Sequence, residues 1–561
     1  MKFSEMPYAR PDVTGFLSEL NALAETIRTA ADAAAQVEAY RRFGAISDEF
    51  YTMASLVSVR HTIDTRDPFY DKEQEFFDEI SPSVEEGVQA ITRALLESPY
   101  RAELEAALGS LLFTNLEISA RSFVPEMMEL MQEENKLCTA YEKLRGAAMV
   151  PWEGESIPLP MLGPYKNSPD RAVRRLAFET EAAFYDEHRA ELDEIFDKLV
   201  KCRNKQARML GYENFIPLAY DRLGRNCYGP KEVDAFRQQI RTDIVPVVNQ
   251  LRAEQAKRIG VDSIKIYDND LLFPDGNATP KGSAEDILAA GKEMYHALAP
   301  ETAEFIDFMY DNELLDVLSK EGKAAGGYCT EFPLYRAPFI FSNFNGTAGD
   351  VDVLTHEAGH AFAAYRAFAN NVPSYYRNPT MEACEVHSMT MEFLTEAYHD
   401  KFFGDATGKY KLGHCANALT FIPYGCMVDD FQHRVYADEN LTPDQRHQVW
   451  QELESIYRPY LELEDLPFFS RGATWQRQLH IYTYPFYYID YCMAQAMAFQ
   501  FWCLAMEDPA EAWRRYLAFV DLAGTRTFEE LVQSAGMSLP YAPSSMHAIA
   551  TRIRTWLDEN Q

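Results

Sequence analysis

The chain has 561 residues, 47% hydrophobic and 25% charged, which is an ordinary globular composition with material for large buried cores and about two to four domains by length. A net charge of -33 and a pI near 4.8 argue against nucleic acid and an anionic membrane surface as main partners, because both reward basic patches. No run approaches the roughly 18 apolar residues of a bilayer span. The nine cysteines form no CxxC pair and the start, MKFSEMPYAR, lacks an apolar signal core, so reduced thiols and a cytoplasmic location are expected.

From Thr14 to about Leu144, stretches such as GFLSELNALAETIRTAADAAAQVEAYRRF and VEEGVQAITRALLES space apolar residues three and four apart with few breakers, which predicts helix throughout. A Pro- and Gly-rich interval between Met149 and Arg175 interrupts the pattern and is the expected boundary, giving an N-terminal helical domain over 1-175 and a second domain over 176-561. Helical periodicity then resumes. There is no internal repeat, so solenoids lose weight. GGYCTEFPLYRAPFIFSNFNGT, Gly326 to Thr347, is rich in aromatic and β-favouring residues and predicts a small sheet or hairpin. Its free edge suits main-chain bonding to an extended peptide, and a purely structural hairpin is the competing reading. The fold class is mainly α.

VLTHEAGHAF, Val353 to Phe362, falls in a predicted helix with Asp350 as N-cap, an apolar stripe of Val351, Leu354, Ala358, Ala361 and Tyr365, and a close at Asn370, Asn371 and Pro373. His356 and His360, at i and i+4, project from one face and can share a metal, with Glu357 turned about 100° away around the axis. Gly359 and Ala363 keep that face small, and Asp352, one turn earlier, is placed to accept the far N–H of a ligand histidine.

A catalytic zinc takes three protein ligands and leaves a fourth position open. A third histidine in the HExxHxxGxxH pattern is excluded, because Arg366 and Ala363 stand where His and Gly would be. The next helix, NPTMEACEVHSMTMEFLTEAYHD, offers Glu382, Glu385, Glu392 and His387. It is too apolar to be fully exposed, and a buried carboxylate needs a partner such as a metal. Spacing does not choose among the four.

Further on, RQLHIYTYPFYYIDY crowds His480, Tyr482, Tyr484, Tyr487, Tyr488 and Tyr491 together. Most such aromatic residues are core, yet a histidine followed by tyrosines one helical turn apart also suits donors aimed at an oxyanion.

HEAGH, ACEVHSMTME and HIYTYPFYYIDYCMAQAMAFQFW together resemble the oligoendopeptidase F and thimet oligopeptidase family of zinc metallopeptidases, nearer the bacterial oligoendopeptidase branch. The resemblance covers about Ala207 to Gly536 well and the N-terminal third loosely. It implies a helical two-lobed peptidase with a deep central channel that admits short unfolded peptides, one Zn2+ held by His356, His360 and Glu385, and Glu357 as general base. His480, Tyr488 and Tyr491 are the implied oxyanion donors, with Tyr487 the alternative to Tyr488. Ser388 follows Glu385 as in the family, and Glu392 matches another acid often kept there. An exopeptidase of the same family and a non-catalytic helical peptide-binding protein are the competing readings. Triad hydrolases and P-loop enzymes have no support, since neither G-x-S-x-G nor G-x-x-x-x-G-K-[ST] occurs.

Overall fold

The computed structural model describes residues 1–463 and 466–560. It is mainly α, as expected, with two small sheets. Strands β1 (Met149–Trp152) and β2 (Glu155–Pro158) form an antiparallel hairpin inside the Pro- and Gly-rich interval. Strands β3 (Leu315–Leu318), β4 (Tyr328–Phe332) and β5 (Ala337–Phe344) form the second sheet in the order β3-β5-β4. Among the described residues, no helix is long and apolar enough to cross a membrane.

The chain divides into two compact, interleaved units. The first comprises residues 1–120, 279–407 and 497–537; the second comprises 121–278, 408–496 and 538–561. A sequential split at 1-175 and 176-561 is a different division, and residue 175 lies within the helix Arg171–Glu187.

In the first unit, helices Val13–Thr29, Ala33–Ile63 and Pro68–Leu96 begin on Asp12, Asp32 and Asp67, whose carboxylates each accept first-turn N–H groups. Their apolar faces meet in a core that includes Leu20, Ile27, Ile91, Leu95 and Phe113. The predicted sheet at 326–347 is present: β4 and β5 pair antiparallel, with Phe332 opposite Ala337 and Tyr328 opposite Phe341. β5 is buried along almost its whole length, which explains its unbroken apolar run, PFIF, in place of alternation. Its second neighbour, β3, pairs in parallel from outside that stretch and was not foreseen.

The helix carrying HEAGH runs from Ala348 to Ala369 and packs on β5. It begins three residues before the expected start, with Thr347 as N-cap. Asp350 lies inside its first turn, where its carboxylate accepts the N–H groups of Asn345 and Gly346 (2.7–3.1 Å) and ties the strand-to-helix turn together. Val351, Leu354, Ala358 and Ala361 are buried as the periodicity requires, and the helix ends at Asn370.

The second unit is built on helices Met128–Gly146, Arg171–Glu187, Arg189–Met209 and most of Thr407–Ala437. Tyr141 stacks on Tyr482 at 3.8 Å, with Phe196 and Trp475 against the same ring, so part of the aromatic run is core. The run itself is not one helix. It comprises a short helix Leu479–Thr483, a turn, and a new helix that starts at Tyr488.

Candidate metal centre and active site

His356 and His360 project from successive turns of one helix, and Glu385 comes from the neighbouring helix Met381–Leu394. The Nε2 atoms of the two histidines lie 3.4 and 3.5 Å from the same carboxylate oxygen, Oε2 of Glu385. These separations are longer than good N–H···O hydrogen bonds. They match instead the edge of a tetrahedron, about 3.4 Å, for donors some 2.0–2.1 Å from one zinc ion. The three donor atoms converge as a metal requires, and Glu385 is buried. Burial opposes ionisation of Glu385, but the two imidazoles outweigh it and hold the carboxyl well below the usual range, so the group offered to a metal is an anion. Ser388 Oγ donates to the same Oε2 at 3.1 Å, one turn along the helix.

Glu392 is two turns beyond Glu385, and its Oε1 lies 2.7 Å from Nδ1 of His356. A carboxylate at that distance accepts a hydrogen bond from Nδ1–H, which keeps the proton on Nδ1 and leaves the Nε2 lone pair facing the centre. Sequence reasoning had given this task to Asp352; at His356 it belongs to Glu392.

The other two acceptors considered on this helix do not join the centre. Glu382 accepts from Thr380 Oγ1 at 2.7 Å in the first turn. His387 is buried with its ring against Phe519 at 5.6 Å, and burial pushes its pKa down to about 3, as expected for a neutral core imidazole. Its carbonyl accepts from Tyr516 Oη at 2.7 Å.

Gly359 has a different use from the one expected. A Cβ there would lie 2.6 Å from the His387 carbonyl oxygen and 2.6 Å from Ser388 Cα, so its missing side chain lets the helix of His356 and His360 touch the helix of Glu385 backbone to backbone. That contact sets the level of Glu385 against the two histidines.

Glu357 is only 8% exposed, and burial pushes its carboxyl up against the opposing pull of His356 and His360. It neighbours β4: burial first, then the Glu357 charge, raises the pKa of the Cys329 thiol on that strand. A carboxyl beside a ligand pair, next to an edge strand, is suited to proton transfer.

His480, Tyr487, Tyr488 and Tyr491 belong to the second unit and cluster there. The His480 ring centroid is 4.9 Å from Tyr488, 6.0 Å from Tyr487 and 6.0 Å from Tyr491. Tyr482 is core and Tyr484 is 58% exposed, so the run divides by role. Tyr488 is enclosed by Phe421 and Tyr424, and burial raises its phenol well above the ordinary value, keeping it a hydroxyl donor.

Two residues that sequence reasoning missed orient this group. Tyr424 Oη donates to Gln478 Oε1 at 2.8 Å, which leaves the Gln478 amide nitrogen as the group 2.8 Å from His480 Nδ1. Nδ1 is therefore an acceptor and the proton of neutral His480 sits on Nε2, the tautomer an oxyanion donor needs. The turn before Tyr488 is also held. Phe486 adopts a left-handed backbone, φ 67°, with its N–H on Gln432 Oε1 (2.9 Å) and its carbonyl on Arg225 Nη2 (2.6 Å). Arg225 also binds Asp490 Oδ1 at 2.7 Å, both side chains buried. The signal was long-range, since Gln432 and Arg225 lie far from Phe486 in sequence.

Residues 3–123 match the family model described as the Peptidase M3 N-terminal domain, and residues 164–550 match the model for Peptidase family M3. A solved structure described as PZ peptidase A with inhibitor 2 is 44% identical, with a TM-score of 0.92 over 100% of this chain and 99% of that one. A 3.1 Å X-ray structure described as an oligoendopeptidase F is 47% identical, with the same TM-score and coverage. Another, from Bacillus anthracis str. Ames, is 41% identical with a TM-score of 0.87, covering 100% of this chain and 98% of that one. The chromosomal oligoendopeptidase F of Lactococcus lactis subsp. cremoris is 25% identical over 236 residues, which span 42% of this chain and 38% of that protein.

Proposed function

Because the chain belongs to peptidase family M3, in its oligoendopeptidase branch, and is a metallopeptidase, we propose that it is a zinc-dependent endopeptidase that hydrolyses internal bonds of short, unfolded oligopeptides. The observation that carries this reading is the convergence of His356, His360 and Glu385 beside the buried Glu357. His356, His360 and Glu385 would hold one zinc, with Glu392 orienting His356. Such an ion supplies a Lewis acid that acidifies water and polarises a carbonyl. Glu357 then takes the proton of the attacking water and delivers it to the leaving amine. His480 Nε2–H and the hydroxyls of Tyr488 and Tyr491 serve as oxyanion donors, a role favoured by the tautomer that Gln478 imposes and by the neutral phenol of Tyr488. The reading extends to a cytoplasmic place of action, supported by nine cysteines that are all free thiols.

Timed mass spectrometry of peptides of increasing length, free or blocked at either end, with and without chelator, tests this reading. The expected result is chelator-sensitive internal cleavage of doubly blocked short peptides, weakening as length grows. Trimming from a free end alone would make the protein an exopeptidase, and no cleavage by folded, zinc-loaded protein would make it a peptide-binding protein.

A further inference from the structure

Within the second unit, a cavity of about 410 Å³ is lined by four arginines, Arg145, Arg252, Arg458 and Arg477, against two acids, Glu181 and Asp270. The size suits a few groups of a ligand. The lining is cationic even though the whole chain carries -33. Buried arginines are ordinarily explained by carboxylate partners, and two of the four have one. Arg458 is paired with Glu454, and Arg477 Nη2 lies 3.2 Å from Glu181 Oε2. Glu181 is also taken by Lys166 at 2.8 Å, so it does not neutralise the remainder.

Arg252 has no carboxylate but gives its Nη1 to Gln255 Oε1 and the Asn269 carbonyl, at 2.5 and 2.6 Å; Arg145 has neither kind of partner. No carboxylate of the described residues forms an ion pair with it. Its polar neighbours are two phenols, Tyr141, with Oη at 3.4 Å, and Tyr185, and its Nε is buried without a hydrogen-bond partner. A guanidinium lining a cavity with only neutral phenols beside it is matched to a planar oxyanion by charge and geometry. Asn417, Thr420, Tyr424 and Gln478 add neutral polar groups to the same wall.

The cavity is connected to the reaction machinery. Gln478 and Tyr424 line it, and the same two side chains form the relay that fixes the His480 tautomer.

We propose that this cavity is a substrate subsite that binds a peptide carboxylate, with Arg145 as its principal anchor. It rests on the peptidase reading above. An anionic peptide is repelled at long range by a chain of this charge, and a local cluster of guanidinium donors is what retains one. The carboxylate is that of the peptide's C-terminus or of an acidic side chain; the chemistry is the same.

The test uses the zinc-loaded full chain and one peptide sequence in four forms: C-terminal acid, C-terminal amide, amide with Glu near the C-terminus, and amide with Gln at that position. The account predicts a KM roughly tenfold lower for the acid than for the amide, the scale of one charge-assisted hydrogen-bonded contact. In Arg145→Met the acid-to-amide ratio moves towards one, and Arg145→Lys restores part of it. A lower KM for Glu than for Gln would show that side-chain carboxylates are accepted, and equality there with the acid effect intact would assign the subsite to the C-terminus. The wild-type comparison needs no variant to fold.

Equal KM values for acid and amide, and for Glu and Gln, with all four peptides cleaved, would overturn the subsite and leave the peptidase reading standing. Calorimetry with an N-acetyl dipeptide as acid and as amide separates the two claims. Arg145-dependent binding of the acid by protein that cleaves nothing would keep the subsite and overturn the peptidase reading.

Discussion

Glu392 Oε1 sits 2.7 Å from His356 Nδ1, seven residues beyond Glu385 on the same helix. One helix thus supplies both the third proposed ligand and the group that aims the first. Glu392→Gln keeps the shape but removes the negative acceptor. Metal affinity is expected to fall by about 10–100-fold, read by competition with a chromogenic chelator, while turnover recovers as zinc is raised. Unchanged affinity would remove Glu392 from the centre.

The backbone contact at Gly359 makes a separate prediction. Gly359→Ala places a methyl group 2.6 Å from the His387 carbonyl oxygen and Ser388 Cα, backbone atoms that cannot swing aside. The helices must separate, which costs about 1–3 kcal/mol as overpacking does and moves Glu385 away from the histidines. Both a lower Tm and weaker zinc binding are expected. A variant with wild-type Tm and metal content would show that the contact is not needed.

The relay from Tyr424 through Gln478 to His480 is tested by Gln478→Leu. With no amide at Nδ1, His480 is free to choose the other tautomer and lose its Nε2 proton. For a neutral, C-terminally amidated peptide the expectation is a fall in kcat with KM and zinc content little changed, because the interaction is realised only in the transition state. Loss of zinc instead would reassign the relay to structure.

Arg225 holds the turn that presents Tyr488. Arg225→Met leaves Asp490 buried without its partner and releases the Phe486 carbonyl. Removing one member of a buried pair costs about 3–5 kcal/mol. The measurable result is a large drop in Tm by calorimetry. A loss of unfolding free energy below about 1 kcal/mol would mean the turn is held by Gln432 alone.

Much of the centre was legible because its chemistry is local. HEAGH needs only helical periodicity to bring His356 and His360 to one face, and PFIF needs only its apolar run to be a buried strand. The choice among Glu382, Glu385, Glu392 and His387 was not legible from spacing, because it depends on the level at which two helices touch, and that level is set by Gly359 meeting His387 and Ser388. Residue patterns on one helix carry no record of that offset, and family resemblance alone singled out Glu385. Asp350 looked like a cap because acids favour first turns, but the preceding turn needed its carboxylate more. The run from His480 to Tyr491 read as helix because nothing local announces that Phe486 turns left-handed; Gln432 and Arg225 hold it from 54 and 261 residues away.

The most direct test of the central claim is Glu357→Gln, with zinc content and cleavage of a blocked peptide measured on the same folded sample. The amide preserves shape and removes the base. The account predicts unchanged zinc, one ion per chain, with kcat reduced by about 10²–10⁴-fold. Near-normal turnover with zinc in place would contradict it and take proton transfer away from Glu357.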